Sequence, residues 1–261
     1  MSLVTKLDQS STDVSLLKLG YFRIMPTNAD GSLSRCTIGS GVTGLKVEFV
    51  GSGYLCDSEG NEIQPYESSG YSFDVYFKST GGFVQVSNKY SLLYVIVSGT
   101  RNSKLDIDDF DCSRGITSLQ ANYGGTYGDV KSLNGIADGA FVLIYGAGVT
   151  GDLSSIAAKK FSRLEFRYLG ITGDLADVPA DVAAALTQNL ELLGCQNLTV
   201  TASQLGKYVN ATAITMTTNG VVYSDVADAL YANGKVSGTV SIRDSAGTHV
   251  CTFTSSGWTT T

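Results

Sequence analysis

Apolar positions along the chain follow two different rhythms. Through the first hundred residues they alternate in short runs. Leu45, Val47 and Phe49 occupy every second position, as do Phe73, Val75 and Phe77, so each trio shares one face of a strand. Residues 83–86 and 92–97 predict further strands, with Gly81-Gly82 breaking the run before them and residues 58–62 forming a turn. Many short strands separated by turn residues predict an antiparallel β-sandwich or barrel-like domain over residues 1–104. Residues 4–24 carry Val14, Leu16, Leu17, Leu19, Tyr21, Phe22 and Ile24, which suits either a first strand or an arm docked on another subunit.

From about residue 105 the pattern becomes a repeat. Gly128-Asp129-Val130, Gly151-Asp152-Leu153 and Gly173-Asp174-Leu175 recur, and nine residues before each glycine stands an apolar residue: Leu119, Val142 and Leu164. Each begins an apolar-x-apolar pair, Leu119/Ala121, Val142/Ile144 and Leu164/Phe166, continued by Leu190/Leu192, Ile214/Met216 and Val240/Ile242. In a strand such a pair turns two side chains into the core and the residue between them outward. Asp152 and Asp174 stand where a helix N-cap is wanted, Thr201 with Gln204 has capping-box spacing, and Ser224 precedes a helical run. A period in the twenties containing one short strand predicts a row of parallel strands, an α/β solenoid over 105–261 closed by a C-terminal cap. Trp258, the single tryptophan, is placed to close the last unit or to pack on a neighbour.

The run Leu164-Glu165-Phe166-Arg167-Tyr168-Leu169-Gly170-Ile171-Thr172-Gly173-Asp174-Leu175 resembles the leucine-rich repeats of the L-x-L…I-T-G-D-L type. These occur in surface proteins of gut Bacteroidetes and in structural proteins, fibre and tail among them, of their crAss-like phages. The resemblance covers roughly residues 105–245; the later units depart from it by losing Gly-Asp. It implies a leucine-rich-repeat fold and a structural or surface-contact role.

Composition narrows the function classes. Lys and Arg total 18 against 24 Asp and Glu, a net charge of −6, which lacks the basic footprint of a nucleic-acid binder. No apolar run approaches the ~20 residues that cross a bilayer, and residues 1–15 show no secretory leader. Strand formers mixed with 30 glycines suit virus fibres and extracellular adhesins. The missing leader then favours a particle protein assembled in the host cytoplasm. Five widely spaced cysteines, Cys36, Cys56, Cys112, Cys195 and Cys251, read as buried free thiols. The sole histidine, His249, sits in an alternating stretch and reads as a strand residue. The acidic run Asp106-Ile107-Asp108-Asp109-Phe110-Asp111 fails the calcium-loop pattern and reads as a solvated cap between the two regions.

Binding is therefore expected ahead of catalysis. The outward residues Gln120, Glu165 and Glu191, with Tyr123, Tyr145 and Tyr168 close by, are the candidate contact residues, since tyrosine beside polar groups suits a protein or sugar surface. No catalytic residue, metal site or cofactor is expected, and neither nucleic acid nor membrane as partner. The expected protein is a non-enzymatic phage virion component, a head or tail fibre, spike or decoration subunit. It would be homo-oligomeric, bound to other virion proteins and in contact with a host-surface glycan or protein. The alternative is a carbohydrate- or protein-binding adhesin of a bacterial surface.

Overall fold

In the computed structural model the described residues are 21–40, 44–87, 94–110, 112, 115–122, 125–217 and 220–261. The expected arm at 4–24 falls almost wholly outside them, as does part of the strand expected at 92–97. The chain is β-rich. Its antiparallel part comprises β1 (Tyr21–Pro26), β2 (Leu33–Ser40), β3 (Lys46–Cys56), β4 (Tyr66–Glu67) and the long β5 (Ser72–Ser87). β5 pairs with β2 along its first half, with β1 along its second, and with β3 from Tyr76 to Ser87. Gly81 and Gly82, expected to end a strand, lie inside β5. A Cβ on Gly82 would sit 2.4 Å from the Val50 carbonyl oxygen, so glycine here admits the partner backbone instead of breaking the ladder. The turn expected at 58–62 is present, with Gly60 N–H donating to the Asp57 carbonyl.

No closed barrel forms among the described residues. Closure requires the outer strands to pair with each other, but their edges are already occupied. β6 (Tyr94–Arg101) pairs antiparallel with β2 on one side and parallel with β8 (Ser118–Asn122) on the other. β7 (Ser103–Asp106) likewise lies between β1, antiparallel, and β9 (Thr126–Asp129), parallel. The antiparallel strands thus open into two parallel ladders within one large mixed sheet.

The first ladder runs β6, β8, β10 (Ala140–Tyr145), β12 (Phe161–Arg167), β14 (Asn189–Leu193), β16 (Ala213–Met216) and β17 (Gly238–Arg243). Its register places Val95, Leu119, Val142, Leu164, Leu190 and Ile214 side by side. The last rung departs from expectation. Ile214 pairs with Ile242, so the Val240/Ile242 pair is displaced by two residues relative to the earlier pairs. The reason is the closing hairpin: β17 continues antiparallel into β18 (Thr248–Thr254) and β19 (Gly257–Thr260), and both Val240 and Ile242 are buried. The second ladder is shorter. It joins β7, β9 and β11 (Gly148–Thr150), crosses a bridge between Asp152 and Thr172, and resumes as β13 (Gly173–Asp174) beside β15 (Leu198–Thr199).

Behind the second ladder each unit closes with a short helix. Three early ones are 3-10 turns at Val130–Gly135, Leu153–Ile156 and Leu175–Asp177. The unit of Leu175–Asp177 adds α1 (Ala180–Ala184), and the two later units use α2 (Ala202–Leu205) and α3 (Tyr223–Ala232). The capping box of Thr201 and Gln204 is present. Ser224 does not cap α3, which begins at Tyr223; the Tyr223 amide is satisfied instead by the Asp244 carboxylate at 2.9 Å. Trp258 on β19 donates its indole N–H to Asp228 of α3 at 2.7 Å and meets Tyr223 edge-on, closing the last unit. One hydrophobic core cluster extends from Phe22 to Phe253, and all five cysteines are buried and free.

The Gly-Asp dipeptides acquire a physical meaning here. Asp129, Asp152 and Asp174 each accept a hydrogen bond from the amide two residues on, at 2.8–2.9 Å, capping their own helical turn. The Asp129 and Asp152 carboxylates also leave room only for hydrogen on the next unit's glycine. A Cβ on Gly151 would lie 2.5 Å from Asp129 Oδ1, and one on Gly173 3.0 Å from Asp152 Oδ1. Both glycines have φ above +100°. The row begins one unit earlier than the sequence pattern suggests, with Asp106, which caps the turn at Ile107–Asp109 and lies against Gly128. It ends where Gln204 donates to Asp174 at 2.6 Å in place of a glycine.

The acidic run is therefore no solvated cap. Asp109 is buried and takes three hydrogen bonds from the Arg23 guanidinium, at 2.8, 3.0 and 3.2 Å, and one from the Arg23 amide. The run is drawn inward because β1 and β7 are neighbours, which sets Arg23 directly over it.

Two measurements check this row. Gly151→Ala is expected to cost more than ~3 kcal/mol in a guanidinium unfolding titration, combining left-handed strain with the carboxylate clash. Gly139→Ala, at φ 80° but with open space around its Cβ position, should lose only about 1–2 kcal/mol. Burial, reinforced by Asp109 and Asp108, pushes the Asp106 carboxyl up to about 6. The folded chain then binds this proton more tightly than the unfolded chain, so the stability contributed is full below about pH 4 and falls as pH rises through 6. Asp106→Asn, which keeps a capping oxygen, should stabilise by ~1 kcal/mol at pH 7 after allowance for solvent screening, and by nothing measurable at pH 3.5.

Candidate functional site

The outward side of the first ladder carries the polar groups singled out by the alternation. Ile96, Gln120, Leu143, Glu165, Glu191, Thr215 and Arg243 form one row across it, each directly opposite the next. Three of the candidate contact residues, Gln120, Glu165 and Glu191, are in this row. Glu165 and Glu191 are immediate neighbours, an arrangement that repels unless cations intervene.

Two arginines intervene. Arg163 and Arg167 flank Glu165 at i−2 and i+2 on β12, so all three share the outward face. Arg163 Nε donates to Glu165 Oε1 at 2.5 Å, and Arg167 Nη2 to Glu165 Oε2 at 2.9 Å. Arg167 also reaches across the ladder. Its Nη2 donates to Glu191 Oε2 at 3.2 Å, while its Nε lies 2.7 Å from Glu191 Oε1, off line for a hydrogen bond but within an ion pair. Asn189 donates to Glu165 Oε1 at 2.8 Å, and the Arg163 guanidinium lies 4.5 Å above the Phe141 ring. Burial alone would lower the Arg167 guanidinium, but its hydrogen bond to Glu191 and the charges of Glu191 and Glu165 hold it above the usual arginine value.

The outcome differs for the two carboxylates. Glu165 has no solvent-exposed surface, being enclosed by two guanidinium groups and an amide. It pairs with both arginines and presents no surface of its own. Glu191 keeps a thin exposed edge of 8%. Gln120 donates to Ser118 at 3.2 Å and is separated from this network by the buried Leu143. The roles of Arg163, Arg167 and Asn189 were not read from the sequence, although Arg163-x-Glu165-x-Arg167 alternates with the strand period and so places all three on one face.

At the corner end of the face stand the tyrosines. Tyr145 lies beside Arg167 in the ladder, and its ring is 5.4 Å from that of Tyr168, tilted by 54°. Tyr123 lies outside the described residues. Tyr168 follows the end of β12, the position taken by Gly146 after β10 and Gly194 after β14. Gly146, Tyr168 and Gly194 have positive φ, at 156°, 58° and 69° in that order. A tyrosine in this conformation costs on the order of 1–2 kcal/mol that glycine avoids. Its ring nonetheless lies against Gly194, where a Cβ would sit 2.4 Å from Tyr168 Cδ1, and remains 49% exposed.

On the inward side, a cavity of about 30 Å³ between the ladder and the helical turns is lined by Leu164, Leu190, Leu192 and Tyr208 among others. It is apolar and large enough for roughly one water. Among the described residues no three His, Cys, Asp or Glu side chains are placed to hold a metal ion. No protein-family model, curated protein or solved structure matches the chain.

Removing the central carboxylate tests the architecture of this face. Glu165→Ala is expected to cost ~2–4 kcal/mol in guanidinium unfolding, because it strands the partly buried Arg163 guanidinium and leaves Arg167 with Glu191 alone. Glu191→Ala should cost less, since Glu191 is less enclosed. Lys131→Ala, which removes a surface ion pair with Asp129, should leave the unfolding midpoint unchanged within error.

Proposed function

We propose that this chain is a non-enzymatic structural subunit of a phage particle, part of a fibre, spike or decoration on head or tail. In this reading residues 105–261 are a leucine-rich-repeat-like solenoid that projects from the particle, and residues 1–104 serve attachment and oligomerisation. The observation that carries it is the common register of Leu119, Val142, Leu164, Leu190 and Ile214 on consecutive parallel rungs. Side-by-side units of one shape make an extended surface instead of a deep pocket, and such surfaces serve contact better than chemistry. The way Glu165 and Glu191 are engaged agrees with this, because carboxylates committed to arginines shape a face.

A second reading is a carbohydrate- or protein-binding adhesin of a bacterial surface, favoured by the exposed ring of Tyr168. Both readings make the outward face a contact surface, and they differ in what the chain is attached to.

Light scattering of the purified chain is expected to give a symmetric homo-oligomer, and its gene should lie among portal and capsid genes. A monomer whose gene stands behind a secretory leader, with no particle genes beside it, would favour the adhesin and overturn the particle reading.

A further inference from the structure

We infer that the corner formed by Tyr145 and Tyr168 is a subsite for a neutral sugar ring, with Tyr168 as its stacking platform. This rests on the reading of the outward face as a contact surface and names the chemistry of what it meets.

The first argument is the backbone. Among the described residues only Asn102 and Tyr168 are non-glycine residues at positive φ. The rungs on either side of Tyr168 fill the same corner with Gly146 and Gly194. The ring touches Gly194 and Tyr145, yet the residue is about half exposed, so core burial does not account for the choice. A strained, exposed aromatic residue at a position where glycine would serve the fold is a feature to be explained by use. The ring is also held in place: Tyr145 tilts against it at 5.4 Å, and the Tyr168 amide donates to the Leu193 carbonyl at 2.6 Å.

The second argument is charge. Arg167 adjoins Tyr145 in the ladder, and with Arg163, Glu165 and Glu191 it forms one network in which each charge is committed to another member. The patch has no surplus charge to offer an anion or a cation. It offers an aromatic face, phenolic hydroxyls, and the partly exposed edges of Arg167 and Glu191. A pyranose complements this, with a flat C–H face for the ring and a rim of hydroxyls for the polar edges. An acidic sugar or phosphate would demand an unpaired cation, which the patch does not contain.

The test titrates the full chain with gluco-, manno- and galacto-configured neutral hexasaccharides, and with a polygalacturonate hexasaccharide as the charged control, by calorimetry. At least one neutral probe should bind. Tyr168→Gly should weaken that binding more than ~10-fold, while Tyr168→Phe, which keeps the ring, should stay within ~3-fold. Tyr168→Gly should melt at or above the wild-type temperature, because it removes strain and little packing. The inference is overturned if no neutral hexasaccharide binds, if the charged control binds more tightly, if Tyr168→Gly binds as well as wild type, or if it melts lower, which would make the ring structural. None of these outcomes bears on the oligomeric state or the gene neighbourhood, so this inference and the particle reading can fail separately.

Discussion

The fold depends on one contact repeated along the chain: an aspartate carboxylate that caps its own helical turn while lying against the glycine of the next unit. Parallel strands supply hydrogen bonds sideways, but they do not by themselves say how far the chain may travel before returning to the sheet. The carboxylate does. It ends the short second strand by accepting the amide two residues on, and its bulk admits only a glycine beside it. Gly-Asp is thus one device shared between neighbours, the glycine answering the unit before and the aspartate serving its own. Where the glycine disappears, at the unit containing Thr201, a glutamine amide binds the preceding carboxylate directly.

The two ends of the molecule use the same sheet differently. At one end β6 and β7 pass from parallel to antiparallel partners, so the ladders are capped by β1 to β5 without a change of core. At the other, β17 turns back into β18 and β19, and α3 with Trp258 covers the last rung. A row of parallel strands leaves its outer rungs unpaired and needs such closures. Each is made from antiparallel strands, which can be joined by short turns where parallel ones cannot.

On the outward face, electrostatics and strain divide the work. Adjacent rungs bring Glu165 and Glu191 together, and the register would be unfavourable without Arg163 and Arg167. The resulting network is closed on itself, with Tyr145 and Tyr168 at its corner end. There Tyr168 occupies a backbone conformation suited to glycine. The exposed ring and the neutral network are complementary features, one providing a surface and the other withholding charge from it.

Much of this was written in local pattern. The alternation of apolar residues determined which side chains face inward in Leu119/Ala121, Val142/Ile144, Leu164/Phe166, Leu190/Leu192 and Ile214/Met216, because a strand has a period of two whatever surrounds it. The recurrence of Gly-Asp determined where each unit turns, and capping chemistry is local to a few residues. What only the tertiary structure decided were relations between distant segments. The antiparallel strands open into the ladder because β2 and β1 offer their edges to β6 and β7. The acidic run is buried because Arg23, more than eighty residues away, is carried over it. The last rung is displaced because a hairpin closes there. Tyr168 is strained because it inherits a corner shaped by the units on both sides. Periodicity reports the face a residue takes within its own strand; it carries no information about which strand lies beside it, and that neighbour sets the charge, burial and strain a site requires.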